Sequence, residues 1–164
     1  MAMAVRNLSN SDSIEKIIEI LDEAIEADPN YSTAYSNKVS FLCQLGKKLE
    51  ALKVINKVLT INGTSLELRM IKAHLLESSN QLKAAEELYH EVLKSYNVLV
   101  TKYPDSLNLK VNRIYTLLFT SEKEIALLEF NKLYEKYPNN NLVLSMKNRF
   151  EDFDRKRFIS SFCN

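Results

Sequence analysis

Apolar residues recur at helical spacing along almost the whole chain. Ile14, Ile17, Ile18, Leu21, Ala24 and Ile25 form one stripe, which Asp28-Pro29-Asn30 ends. Leu52, Ile55, Val58 and Leu59 form a second, ending near Asn62-Gly63. A longer one runs through Leu82, Ala85, Leu88, Tyr89, Val92, Tyr96, Leu99, Val100 and Tyr103 to Pro104-Asp105. Ile125, Leu128, Phe130, Leu133 and Tyr134 make another and stop at Pro138-Asn139-Asn140. Spacings of three and four place such residues on one side of an α-helix, so the pattern predicts amphipathic helices joined by short polar turns.

The stripes repeat. Ala51 to Ala85, Ile55 to Tyr89 and Pro104 to Pro138 are each 34 residues apart. Ala85 to Ala126 and Tyr89 to Phe130 are each 41 apart. The extra seven residues are two helical turns and rotate the helix face by only ~20°. They lengthen a helix, expected at about 81–102, without changing which side meets the core. At 1.5 Å per residue it should reach roughly 33 Å, so Tyr96, Leu99, Val100 and Tyr103 at its far end need cover.

Within each period a small residue precedes a large one by four positions: Ala51 and Ile55, Ala85 and Tyr89, Ala126 and Phe130, with a degenerate Ile17 and Leu21 upstream. Leu42, Leu76 and Leu117 hold a second large position, and Gly46 separates the first helix pair. In this phasing residues 28–64 closely resemble a tetratricopeptide repeat, and the resemblance extends over about 13–160. It implies an all-α fold, a right-handed superhelix of stacked helix pairs forming a single domain over 1–164. That domain would comprise a half repeat at 13–27, repeats at 32–64, 66–103 and 107–138, and a capping helix at 140–162. One departure is consistent: Lys38, Lys72 and Arg113 stand where the family usually has Leu. Stacking would line these three cations up as a basic ladder, able to meet carboxylates or phosphates of an acidic partner. The alternative is long stems lying over the helix interface with their charges in water.

The resemblance further implies a concave groove lined by the first helix of each pair. Mapped position by position, it would present Ser36, Asn37 and Ser40, then Met70, Ile71 and His74, then Asn108, Val111, Asn112 and Tyr115. Asn37 and Asn112 could hold a peptide backbone, and such a groove suits an extended or helical peptide. Family members that grip chaperone C-termini use a cationic clamp. The matching positions here are Ser36, Ser40, Ile71, Asn108 and Asn112, so that adaptor role is not expected.

Composition narrows the classes. Gly 2 and Pro 3 in 164 residues are too few for the turns of a sheet fold or for Gly-rich phosphate loops. Lys+Arg 22 against Asp+Glu 21 excludes a strongly basic nucleic-acid binder on net charge. No apolar run approaches a membrane span and residues 1–7 lack a leader's apolar segment, so the expected protein is cytoplasmic, without membrane insertion. The sequons at Asn7 and Asn62 then read as chance matches. Two cysteines, Cys43 and Cys163, are too few for a disulfide framework and fit a reducing compartment.

Catalysis finds little purchase. Cys43 and His74 would lie on neighbouring helices, but no third orienting group accompanies them. Glu87 and His90 form a single Glu-x-x-His, where a di-iron bundle needs two with further carboxylates. Neither a metal site nor a cofactor is expected. Near the C-terminus Val143, Met146, Phe150 and Phe153 fit a cap, whereas Phe158, Ile159 and Phe162 exceed what a cap needs. That tail could fold back, pair with a second copy as a homodimer, or meet a partner.

The expected function is therefore a non-enzymatic protein–protein interaction module or adaptor, binding a protein or peptide in the concave groove. Two other readings stay open: a dedicated inhibitor of one enzyme, of antitoxin or immunity type, and a fragment or subunit of a larger assembly.

Overall fold

The structure is a computed structural model that describes residues 11–61, 63–120 and 123–163; the stretch 1–7 and the two sequon asparagines lie outside these. The described residues are all-helical, with nine α-helices and no strand. These are α1 (Ser11–Ala27), α2 (Ser32–Gln44), α3 (Lys48–Ile61), α4 (Leu66–Ser78), α5 (Leu82–Lys102), α6 (Leu107–Thr120), α7 (Lys123–Lys136), α8 (Asn141–Glu151) and α9 (Arg155–Ser161). They fall into two compact units. The first contains the described residues up to Gln81 together with 160–163, and the second is Leu82–Ile159.

In the first unit α1 packs on α2, α2 on α3 and α3 on α4. Its core is built from Tyr35, Val39 and Leu42 of α2, Ala51, Ile55 and Val58 of α3, and Ala73 and Leu75 of α4, all buried. In the second unit α5 packs on α6, α6 on α7, and α8 on both α6 and α7. There the small-then-large pairs Ala85 and Tyr89, Ala126 and Phe130 are each no more than 1% exposed. Alanine at these points lets helix backbones approach, and the large residue one turn on fills the space beyond. The far end of α5 is covered only in part: Tyr96 is buried, Leu99 is half-buried and Val100 shares a cleft with Ile114 of α6 and Leu133 of α7, whereas Tyr103 stays exposed.

The turns follow from their residues. After α2 the Lys47 N–H donates to the Leu42 carbonyl at 2.9 Å and the Gly46 N–H to the Cys43 carbonyl at 3.0 Å, with Gly46 at φ 67°. After α4, 34 residues later in sequence, the same pair of bonds joins Gln81 to Leu76 and Asn80 to Glu77, with Asn80 at φ 60°. This left-handed cap satisfies the last helical carbonyls, and glycine and asparagine are the residues that tolerate it best. At Pro29, Pro104 and Pro138 a four-residue turn closes instead. The N–H groups of Tyr31, Ser106 and Asn140 donate to the carbonyls of Asp28, Tyr103 and Tyr137 at 3.0, 3.1 and 3.1 Å. Proline in the second position presets φ and has no donor to waste.

The stretch expected to form one capping helix forms two. Asp152 ends α8, and the Asp154 carboxylate accepts the Arg157 N–H at 2.9 Å to start α9. That hydrogen bond, with Arg157 and Lys156 nearby, holds the Asp154 carboxyl below its ordinary value. The periodic apolar stripe runs through both helices, so spacing alone does not reveal the break. Phe150 of α8 stacks on Phe130 at 4.4 Å, and Phe153 and Phe158 meet Phe119 edge-on at 5.3 and 5.6 Å. The Arg155 guanidinium lies over the rings of Tyr89 and Phe119.

Replacing Gly46 with Ala should cost about 1 kcal/mol, the usual penalty of a left-handed conformation for a residue with a Cβ. The added methyl meets no atom within 4 Å, so φ alone sets the effect. Asn80→Gly should move stability the other way, by a few tenths. Urea unfolding of both variants checks this, and an unchanged Gly46→Ala midpoint would remove the left-handed cap as the determinant of this turn.

Candidate functional site

The residues expected to line one groove belong to both units, and each unit is considered by itself. In the first, Ser36 and Ser40 of α2 and Ile71 of α4 come together. With Val39, Cys43 and Gln44 they line a cleft of about 360 Å³. Ser36 hydrogen-bonds the Ser32 carbonyl one turn back at 3.2 Å, so its hydroxyl is held against its own helix. Asn37 lies on the exposed side of α2. Met70 turns inward and is part of the core.

The remaining wall of this cleft is the chain's own C-terminal segment, Ser161, Phe162 and Cys163. Cys163 is joined to Cys43 by a disulfide across a sequence separation of 120, and Phe162 sets its ring edge-on to His74 at 5.2 Å. Two expectations change here. The cysteines are bonded to each other, so Cys43 is no thiol nucleophile for His74 to activate. A count of two says nothing about whether folding brings the pair together, and here the returning tail does. His74, expected on an open face, is buried under that tail. Phe162 therefore folds back on the first unit, while Phe158 joins the aromatic cluster of the second and Ile159 is half-buried.

The first-helix positions of the second unit separate in the same manner. Asn108 is exposed, Asn112 half-buried and Val111 buried in the core. Tyr115 packs its ring edge-on against Phe119 at 5.4 Å. Burial pushes its hydroxyl up to about 12, partly offset by the Arg149 charge.

Two of the three ladder cations are engaged inside the fold. Lys38 pairs with Asp22 of α1. The Arg113 guanidinium pairs with Glu129 of α7 and donates to the Asn97 amide oxygen of α5. Lys72 is half-buried and has no ion pair among the described residues. A different basic grouping is present in the second unit, where Lys110, Lys132 and Lys136 surround a cleft of about 380 Å³ together with Arg113 and Glu129. Val100, Ile114 and Leu133 supply its apolar lining. Spacing along single helices does not expose this group, because it is assembled from α6 and α7.

Glu87 and His90 are exposed on α5, and Glu87 lies 4.0 Å from Lys83. Among the described residues no three His, Cys, Asp or Glu side chains form a group that could hold a metal ion, and no helix is long and apolar enough to cross a membrane. Comparison with protein-family models, with curated proteins and with solved structures gave no match.

Because Tyr115 stays neutral in the folded state above the ordinary tyrosine range, its contribution to stability is complete below about pH 10 and is lost as pH rises through about 12. Thermal unfolding should thus fall more steeply between those values for the native chain than for Tyr115→Phe. Parallel curves would show that the buried hydroxyl does not titrate with unfolding.

Proposed function

We propose that the chain is a non-catalytic, tetratricopeptide-like interaction module whose α2/α4 face binds a peptide or extended protein segment. The observation that carries this reading is the cleft itself. Ser36, Ser40 and Ile71, three positions that the repeat phasing assigns to the groove, line one cavity together with Val39, Gln44 and the chain's own Phe162. A cavity of this size takes one or two side chains of an extended peptide. Two observations support the repeat type: the left-handed caps at Gly46 and Asn80 one period apart, and the buried alanines each followed a turn later by a large residue. The lysines beside the α6/α7 cleft favour an acidic partner, a role the paired Lys38 and Arg113 are less free to play.

The test is selection of a random peptide library on the immobilised full chain kept in dithiothreitol. Enriched peptides should share an aromatic or large aliphatic residue. Ile71→Arg should reduce their binding at least tenfold while leaving far-ultraviolet helicity unchanged. Equal binding of the enriched peptides to Ile71→Arg overturns the assignment of this face.

A further inference from the structure

We propose that residues 160–163 act as an internal ligand of the α2/α4 face, locked in place by the Cys43–Cys163 disulfide, and that a dithiol reductant opens the face to peptides. This inference rests on the peptide-binding reading above and adds its regulation.

The tail meets the very positions the groove would use. Phe162 lies against His74, Cys163 is bonded to Cys43 at the C-terminal end of α2, and both tail residues wall the cleft with Ser36, Ser40 and Ile71. The tail thereby displays the chemistry the face accepts: an aromatic side chain among small residues, Ser160-Ser161-Phe162-Cys163. Ser160 and Ser161 are exposed, Phe162 is half-buried and Cys163 is buried, so departure of the segment uncovers chiefly His74 and the face beneath it. Holding the segment in place costs conformational entropy, which its non-covalent contacts must offset alone once the bond is cut. The covalent bond removes the choice by holding the tail at a very high effective concentration.

Opening is ordinary thiol–disulfide exchange. One thiolate of the dithiol attacks Sγ of Cys43, the less buried of the two residues, and forms a mixed disulfide while Cys163 leaves as a thiolate and takes up a proton. The second thiol of the reductant then attacks its own sulfur in that mixed disulfide, releasing Cys43 as a thiol. Two electrons pass to the protein, and the reductant leaves as a cyclic disulfide.

The experiment follows the full chain with and without dithiothreitol by two readouts. Amide hydrogen exchange is measured at residues 160–163 and along α2. Binding is measured for a fluorescent peptide with the sequence of residues 155–164 carrying Cys163→Ser. Reduction should remove protection at 160–163 and raise peptide affinity at least tenfold, and the Cys163→Ser chain should behave as reduced without any reductant. A peptide carrying Phe162→Ala should bind at least tenfold more weakly. Unchanged exchange at 160–163 on reduction overturns the lock, whatever the peptide does. Equal peptide affinity in both redox states overturns the gating. A tail that is released while the peptide binds neither state overturns the groove reading and this inference with it.

Discussion

Close approach of helix backbones at a few alanines is the constraint on which the rest depends. Ala51, Ala85 and Ala126 have essentially no exposed surface, and Ile55, Tyr89 and Phe130, one turn further along, are equally enclosed. A side chain larger than a methyl at the first position would push the neighbouring helix away, because a core packed to native density has no slack to absorb it. Once the small and large positions are fixed, the phase of each second helix follows. The first helix of the pair must then present Leu42, Leu76 or Leu117 inward. Ser36, Ser40 and Gln44 of α2 are left out of that packing, and the cleft lies beside them.

Much of the fold is legible for the same reason. A buried stripe must repeat at helical spacing, so the helices can be located from the stripes alone, and helix ends depend on residues with strong local preferences. Pro29, Pro104 and Pro138 mark three identical turns, and Gly46 marks a left-handed cap. Asn80 was less visible, since asparagine adopts positive φ less often than glycine and appears in many other roles. The break between α8 and α9 leaves the apolar spacing intact and depends on a single carboxylate, Asp154, accepting a backbone N–H. Periodicity does not register a device that small.

The candidate site was legible only in part, because it is built from contacts between distant segments. Helical phase identifies Ser36, Ser40 and Ile71 as outward, but it does not reveal that the chain returns with Phe162, 88 residues after His74, to cover that histidine. The same limit applies to charge. Lys38, Lys72 and Arg113 share a register, yet register says nothing about Asp22 or Glu129 reaching the first and last of them from adjacent helices. A cation's position in a repeat predicts where its stem lies, and its neighbours decide what its charge is used for.

This has a consequence for recognition. A charge already held by a carboxylate offers a partner little net attraction, since the partner must displace that carboxylate or share it. The basic field available to an acidic segment therefore comes chiefly from Lys110, Lys132 and Lys136. Lys132 and Lys136 are exposed and Lys110 half-buried; charges at the surface act over no more than a Debye length of about 8–10 Å at moderate salt, so they can bias approach without selecting a sequence. In the proposed reading, discrimination between side chains rests on the first unit's own cleft beside Ile71, through shape and burial. A segment that takes the α2/α4 face must displace Phe162 and its neighbours, which form one wall of the cleft. The covalent bond between Cys43 and Cys163 makes that competition one-sided until it is broken. A partner's affinity is then governed as much by the redox state of two sulfurs as by any contact the partner makes.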